Sequence, residues 1–462
     1  MTSTRRSFLA GAAGAPAVFA QRRGARPAAA PRPNIVLILT DDLPAWALGC
    51  YGNPEIRTPN IDAFARAGTR FMNSLVCTPV CSASRATLFT GRTPNQHGIL
   101  DFLTPNPVAD PPQGQAAPPD SFARQTMLSD LLHAAGYRCG YSGKWHLGSD
   151  QRPGHGYEFT YTFDGGTSPY QDPVMYLNGK RRQERGYLAD LITAQACSFI
   201  DAQRPDQPFF LTVSHFNPHT PYEGHPAKYY EMYANASFEK QSLMQPAENA
   251  LREKEYLQDM LGSFRKCAAA ITALDDQLPP LRRKLMEKGF FDNTLVIFTS
   301  DNGYLMGRHG LWSEGHASHP VNMYEEVMQA PMIWSWPGRV PVGVVRPELI
   351  SFYDFLPSVC AAAGVAAPGG LCGRNYLPLA TNRALPKGET WRDLVFGHFR
   401  YAWMARDNRF KLVIREEGQG HHELFDLRQD PGEFKNLYED ARYVTVRDRL
   451  WSELAAWRDK YC

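Results

Sequence analysis

Two unbroken apolar runs, each ending in carboxylates, constrain this chain most. Asn34-Ile35-Val36-Leu37-Ile38-Leu39-Thr40 runs into Asp41-Asp42, and Asn293-Thr294-Leu295-Val296-Ile297-Phe298-Thr299 runs into Ser300-Asp301-Asn302-Gly303. A strand with one wet face alternates polar and apolar residues, whereas a strand covered on both faces does not. Both runs therefore read as buried strands of a largely parallel α/β sheet. Ligands in such sheets sit beyond the carboxyl ends of the strands. Three carboxylates and an amide at two such ends form an all-oxygen set, which suits Ca²⁺ or Mg²⁺ rather than zinc. Either pair alone is also what a turn or helix cap uses, so their meaning depends on the rest of the chain.

Between the runs lies Cys77-Thr78-Pro79-Val80-Cys81-Ser82-Ala83-Ser84-Arg85-Ala86-Thr87-Leu88-Phe89-Thr90-Gly91-Arg92. A helix-compatible segment, Ala86 to Phe89, follows Arg85, and Ser82 or Ser84 is placed to cap it. The free N–H groups and positive dipole of its first turn would lie beside Cys81, a favourable place for an anion. Arg85 adds a fixed cation with a fork of donors suited to a tetrahedral oxyanion. A lone cysteine is most often a buried free thiol; this one is set in a cradle for a phosphate- or sulfate-like group.

The stretch resembles the signature of the type I sulfatases, a branch of the alkaline phosphatase superfamily: CxPSR or CxASR, a short helix, then TGR. Cys81-Ser82-Ala83-Ser84-Arg85 and Thr90-Gly91-Arg92 match its alanine form. The resemblance implies that Cys81 is oxidised after synthesis to formylglycine by a formylglycine-generating enzyme. An aldehyde hydrate carries two hydroxyls on one carbon; one attacks sulfur and the other expels sulfate by elimination, an exit that a plain alcohol lacks. It also implies a Ca²⁺ site, with Mg²⁺ the alternative, made by Asp41, Asp42, Asp301, Asn302 and the group derived from Cys81. Cys77 falls outside the pattern and is expected to pack nearby.

Other motifs follow in the family's order. Thr58-Pro59-Asn60-Ile61-Asp62 opens a helix, started by Thr58 or Asn60, that Gly68 ends. Leu128 to Ala135 is a helix stopped by Gly136, and a strand then leads to Gly143-Lys144-Trp145-His146-Leu147-Gly148. Lys144 and His146, two apart on a strand end, face the same way and suit anion binding beside proton transfer. Phe209 to Val213 is another strand, running into Ser214-His215-Phe216-Asn217-Pro218-His219-Thr220-Pro221. His219 matches the family histidine that serves the leaving group; His215 lies one residue too far upstream for the other and is read as structural. Gly310-Leu311-Trp312-Ser313-Glu314-Gly315 departs from the pattern, because many relatives carry a lysine that touches the substrate sulfate where this chain has Glu314. Glu314 is expected to point away, stay protonated or meet a cationic part of the substrate, with His316 or His319 partly replacing the lysine. The resemblance spans roughly residues 34 to 440 in at least six motifs.

The 462 residues carry a net charge of +2, which gives no field for nucleic acid or an acidic membrane surface. Nine cysteines show no metal-ligand spacing. Arg5-Arg6-Ser7-Phe8-Leu9 is a twin-arginine pattern, and the apolar run after it, broken by Pro16, ends in Val18-Phe19-Ala20, a small-residue cleavage site. It is too short to span a bilayer, so export to the periplasm or beyond, without stable membrane insertion, is expected. Three parts follow: a signal peptide and linker over 1–33, a catalytic domain over 34–373, and a C-terminal subdomain over 374–462, bounded by the glycine-rich stretch 368–373. Residues 104–119 and 222–258 lack a strong pattern and read as a surface loop and an insertion.

The expected fold is α/β: a large mixed β-sheet between helices, with a small C-terminal antiparallel α+β subdomain. The expected reaction is hydrolysis of a sulfate monoester of a sulfated carbohydrate or other small molecule. The Cys81-derived hydrate is the nucleophile and Asp301 takes its proton; Arg85 and Lys144 hold the hydrate and the sulfate oxygens. His219 serves the leaving group and His146 is the base for elimination. Two alternatives are a phosphonate monoester or phosphodiester hydrolase of the same superfamily, and a catalytically dead sulfoglycan-binding protein. Nothing in the chain specifies an oligomeric state.

Overall fold

A computed structural model describes residues 1, 32–109, 112–119 and 122–462. The twin-arginine pattern and its cleavage site lie outside the described residues. Along the chain the strands are β1 (Asn34–Asp41), β2 (Thr69–Leu75), β3 (Val108–Ala109), β4 (Pro112–Gln113), β5 (Arg138–Gly143), β6 (Phe159–Thr162), β7 (Val174–Leu177) and β8 (Lys180–Gln183). They continue with β9 (Phe209–Pro218), β10 (Thr294–Ser300), β11 (Met332–Ser335), β12 (Val344–Ser351), β13 (Leu394–Phe399), β14 (Ala402–Asp407), β15 (Phe410–Arg415) and β16 (Glu423–Asp426).

The two apolar runs are neighbours at the centre of a ten-stranded sheet of order β12-β2-β11-β10-β1-β9-β5-β6-β7-β8. β1 pairs in parallel with both β10 and β9, with Ile35 opposite Leu295 and Phe210. Every residue of β1, β9 and β10 is buried, which is why their sequences show no alternation. β5 continues the parallel centre on the far side of β9, and β11 and β7 run antiparallel toward the edges. Parallel pairing sends the carboxyl ends of β10, β1, β9 and β5 to one edge, so Asp301, Asp41, the residues around Ser214 and Lys144 arrive together. Helices flank the sheet, among them Leu188–Asp201 and Met260–Asp275.

A separate four-stranded antiparallel sheet, β13-β14-β15-β16, lies near the C-terminus. It shares a second apolar core with the last helix, Val444–Tyr461, through Trp403, Leu412, Leu424, Leu450, Leu454 and Trp457. Cys77 is buried in that core. Its carbonyl accepts the His398 N–H at 2.8 Å, tying the loop before Cys81 to β13. Two local readings change. The stretch 104–119 contains the β3–β4 hairpin. The 222–258 segment contains two short helices, Ala227–Glu231 and Lys254–Gln258. Pro279-Pro280 lie in the first turn of the helix Leu278–Glu287, where a missing N–H costs little. Among the described residues no helix is long and apolar enough to cross a membrane.

Candidate active site

The helix carrying Cys81 is longer than its sequence suggests. It runs Cys81–Thr90 and begins at the cysteine itself, after an extended Val80. Ser82 and Ser84 are therefore inside the first turn and do not cap it. Ser82 Oγ accepts the Leu103 N–H at 3.0 Å, and Ser84 Oγ donates to the Asp301 carbonyl. The cap comes from across the chain: the Cys81 N–H donates to Glu314 Oε2 at 3.2 Å. An exposed N–H at a helix start needs such an acceptor, and all ten residues of this helix are buried.

Cys81 Sγ lies 3.2 Å from His146 Nδ1, and His146 Nε2 lies 2.9 Å from the Leu103 carbonyl. A carbonyl only accepts, so Nε2 carries the proton and the Nδ1 lone pair faces Cys81. Burial, then the nearby Lys144 charge, holds this imidazole well below the usual histidine range, so it is neutral, with the Nδ1 lone pair free. His146 has a positive φ of 56°, an unusual conformation for a side chain of this size. Gly166 makes room for it, since a Cβ there would meet the ring at 2.4 Å. Gly143, with φ of 117°, plays the same part for the strand end, where a Cβ would fall 1.8 Å from the Ser214 carbonyl.

The strand ends deliver the carboxylates. Asp42 also has positive φ, 60°, and this turn brings two successive side chains to one place where a continued strand would send them to opposite faces. Asp41, Asp42, Asp301 and Glu314 are all buried. Two fixed cations face them. Arg85 Nε donates to Asp301 Oδ2 at 2.8 Å and its far nitrogen is 3.4 Å from Asp41. Lys144 Nζ donates to Asp41 Oδ2 at 2.6 Å. Arg85 also donates to the Lys144 carbonyl and to Ser214 Oγ, at 2.8 and 2.9 Å. Both cations are thus occupied with the carboxylates and backbone around the nucleophile.

Four carboxylates against two cations leave a formal excess of two negative charges. Burial first, then Glu314, Asp41 and Asp301, pushes the Asp42 carboxyl well above the usual range. Burial and Asp41 raise Asp301 in the same way. Two buried oxygens, Asp41 Oδ1 and Asn302 Oδ1, have no hydrogen-bond partner among the described residues, although such groups are almost always paired. Asn302 Nδ2 donates to Asp42 Oδ1 at 2.8 Å, which fixes the amide against the cluster. Unmatched negative charge with unpaired oxygen donors fits a hard divalent cation. Ligand atoms of Asp41, Asp42 and His219 lie within 4.8 Å of one another. Asp301 Oδ1 instead accepts the backbone N–H groups of Asp42 and Asn302, at 3.2 and 2.9 Å.

His219 Nδ1 is 2.6 Å from the Thr220 carbonyl, so that nitrogen carries the proton, and Nε2 lies 3.7 Å from Asp42 Oδ2. Burial, then Lys144, lowers this histidine to about 3. The fold thus brings Cys81, Arg85, Lys144, His146, His219, Asp41, Asp42, Asp301 and Asn302 to one edge of the sheet. His215 is buried with no hydrogen bond to either nitrogen among the described residues. The two histidines proposed to replace the family lysine are placed differently. His316 is buried and held well below the usual range by burial and then by Arg252, and His319 turns to the Tyr401 hydroxyl at 3.3 Å. Glu314 does not point away, but reaches the nucleophile's N–H. Sequence reading missed Ser214, whose Oγ links Arg85 to the Lys144 carbonyl. It sits one residue past an apolar run, and that position was its only signal.

Comparison with known proteins agrees. Residues 33–365 match the sulfatase family model, and residues 318–460 match the model of the N-sulphoglucosamine sulphohydrolase C-terminal region. The chain is 26% identical to an N-acetylglucosamine-6-O-sulfatase of Bacteroides thetaiotaomicron, over 93% of this chain and 87% of that protein. It is 30% identical to the uncharacterized sulfatase YidJ of Escherichia coli, over 93% and 88%. The solved structure of BT4656 with its substrate D-glucosamine-2-N,6-O-disulfate superposes with a TM-score of 0.79 at 24% identity, covering 93% of this chain and 98% of that one. A helix-start cysteine, a neutral histidine facing it, an excess of carboxylates at two strand ends and a family match over most of the chain lead to one conclusion: this chain belongs to the sulfatase family, and it is a sulfuric ester hydrolase.

Proposed function

We propose that the chain hydrolyses a sulfate monoester of a sulfated carbohydrate, with formylglycine made from Cys81 and a Ca²⁺ ion, Mg²⁺ being the alternative. The observation that carries this reading is the neutral His146 with its lone pair 3.2 Å from the Cys81 sulfur, beside buried carboxylates in excess of their cations. The thiol itself is a poor nucleophile, because burial, with Asp41, Asp301 and Asp42 adding to it, pushes it up to about 12; at neutral pH it stays protonated. Formylglycine would supply a geminal diol, one hydroxyl to attack sulfur and the other to release it. The ion, held by Asp41, Asp42, Asp301 and Asn302, would supply fixed positive charge at the sulfate oxygens.

The chain's own residues then have separate tasks. Asp301, at the strand end beside Arg85, takes the proton of the attacking hydroxyl. Arg85 and Lys144 keep the carboxylates in place and offer positive charge already oriented toward the developing anion. His219 has its Nδ1 pinned by Thr220, so its Nε2, 3.7 Å from Asp42 Oδ2, must first take up a proton, from the substrate side or from a protonated Asp42, before it can pass one to the leaving oxygen. His146 Nδ1 takes the proton of the second hydroxyl, and the Leu103 carbonyl holds the tautomer that makes this available. A carbohydrate substrate is supported by the relative that is an N-acetylglucosamine-6-O-sulfatase. We assign the catalytic part to 34–373 and a subdomain to 374–462. We also propose export to the periplasm or beyond through Arg5-Arg6, after maturation by a formylglycine-generating enzyme.

The test is a desulfation screen on sulfated sugars, choline sulfate and aryl sulfates, with a phosphodiester and a phosphonate monoester beside them. Release of inorganic sulfate from a sulfated sugar, lost in Cys81→Ala, is expected. Turnover of the phosphorus esters alone would replace this reading with a phosphonate hydrolase. Binding of sulfated sugars without any turnover by aldehyde-bearing protein would replace it with a binding protein.

A further inference from the structure

We propose that Arg252 determines substrate choice by binding a second anionic group of the sugar, a carboxylate or a further sulfate, beyond the scissile ester. The preferred substrate is then a glycan fragment with more than one negative charge. This rests on the carbohydrate-ester reading above.

Arg252 stands on the 222–258 segment, just before the helix Lys254–Gln258. Its backbone is pinned to the loop that carries Glu314 and His316. Ala250 forms an antiparallel bridge with Ser318. The Leu251 N–H donates to the Ala317 carbonyl at 2.8 Å, and the His319 N–H donates to the Asn249 carbonyl at 3.2 Å. The Arg252 side chain is half-buried, and its guanidinium carbon lies 5.5 Å from the centre of the Phe102 ring. One guanidinium nitrogen donates to Gln113 Oε1, on β4, at 3.0 Å. Arg252 thus joins the two segments, 104–119 and 222–258, whose sequences carry no strong pattern.

Contacts place this arginine beside the nucleophile but not on it. The Phe102 and His316 rings pack with centroids 5.2 Å apart. His316 Nδ1 is 3.8 Å from Glu314 Oε2, which accepts the Cys81 N–H. Leu103, the residue after Phe102, holds His146 through its carbonyl. These side chains stand between Arg252 and Cys81, so the anion that Arg252 meets is not the scissile ester but a group further along the sugar.

The guanidinium is uncommitted. Among the described residues no carboxylate pairs with it, and the neutral Gln113 amide uses one of its five N–H donors. The adjacent Glu253 is taken by the hydroxyls of Thr220, at 2.9 Å, and Tyr304. Arg400, by contrast, is paired with Asp101 at 2.8 Å. Arg85 and Lys144 are likewise held by carboxylates. A second substrate anion therefore meets in Arg252 a cation not already taken. Packing on an aromatic face orients the guanidinium in advance, and its remaining donors form a planar fork that matches two oxygens of one anion.

The test is the rate of sulfate release by wild type, Arg252→Met and Arg252→Lys from four tetrasaccharide preparations: a galactan with one sulfate per disaccharide, a galactan with two, and uronate-containing fragments of chondroitin sulfate and of heparin. Methionine keeps an apolar stem against Phe102 and removes the charge. The wild type should favour at least one of the more highly charged substrates over the singly sulfated galactan by about tenfold in kcat/KM. Arg252→Met should remove most of that preference, chiefly through KM, and Arg252→Lys should keep part of it. The salt dependence of kcat/KM on the preferred substrate should be shallower in Arg252→Met. Preference for the doubly sulfated galactan assigns the second group as sulfate; preference for the uronate fragments assigns it as carboxylate. Loss of kcat/KM by one common factor on all four would make Arg252 a pillar between loops and overturn the inference, with the sulfatase reading intact. A wild type indifferent to the second charge would do the same. Turnover of phosphorus esters with no sulfate released from any sugar would overturn both. Should Arg252→Met not fold, Arg252→Lys, which keeps the charge and loses the fork, must lower kcat/KM more on the highly charged substrates than on the singly sulfated galactan for the inference to stand.

Discussion

His146 Nδ1 faces the Cys81 sulfur at 3.2 Å, with its other nitrogen committed to the Leu103 carbonyl. That contact fixes which nitrogen is a base before any substrate arrives. Replacing His146 with Ala should lower kcat by about 10²-fold or more, the usual loss for a positioned base, while KM changes little. Cys81→Ala should abolish turnover and keep the fold, because alanine fits a buried helix start. Protein made with a formylglycine-generating system should show, by peptide mass spectrometry, loss of the Cys81 thiol and gain of a hydrazide-reactive aldehyde. Full activity in a preparation whose Cys81 is an intact thiol would refute the mechanism.

Metal content should track the oxygen donors. Asp42→Ala and Asn302→Ala each remove an oxygen from the cluster, and both should lower bound Ca²⁺, measured by elemental analysis, together with activity. Removing the ion by chelation should lower the thermal midpoint, since the buried carboxylates then exceed their cations. Zinc bound at one equivalent, with activity that depends on it, would contradict the assignment.

The strands that build the site were legible because they are buried on both faces, and so their sequences are unbroken apolar runs ending in Asp41-Asp42 and Asp301-Asn302. The nucleophile was legible from Cys81 and Arg85 together. What could not be read were contacts between residues distant in the chain. Glu314 caps a helix 233 positions away, and nothing local to either residue encodes that. His316 and His319 stand three apart in one loop, yet one is buried and neutral while the other turns to Tyr401, a difference set by packing and not by residue type. The serines near Cys81 misled because capping residues inside a helix look like capping residues before it.

A positioning role is expected for Arg400, far from the chemistry in sequence. It lies at the turn between β13 and β14, and its Nε donates to Asp101 Oδ2 at 2.8 Å. Asp101 in turn accepts the N–H groups of Phe102 and Gly114, at 2.9 and 2.8 Å. This holds the loop whose Leu103 carbonyl sets the His146 tautomer. Arg400→Ala should lower kcat about tenfold through loss of that alignment, with Ca²⁺ affinity unchanged. Arg400→Lys should recover part of it. The same kcat in wild type and Arg400→Ala would show that the loop holds itself.

Buried histidines should each subtract from stability in mild acid even with Ca²⁺ saturating, against buried carboxyls such as Asp150 and Asp275, whose raised values act in the opposite direction. His97, His215 and His225 are each lowered to about 3 by burial, whereas unfolded histidine titrates near 6.5. Above that value both states are neutral and the groups contribute no pH dependence. As pH falls through 6.5 the unfolded chain takes up protons that the folded chain refuses, so the balance shifts toward unfolding. Each group contributes a slope of about 1.4 kcal/mol per pH unit until its folded value is reached. His215 is the cleanest to remove, because neither of its nitrogens is hydrogen-bonded among the described residues and a ring of similar size can fill its place. Denaturant unfolding of wild type and His215→Phe from pH 7.5 to 5 is the measurement. The variant should lose less stability by about one proton's worth of slope below pH 6.5. Parallel curves for the two proteins would mean that His215 takes up a proton in the folded state, and that its burial does not hold it neutral.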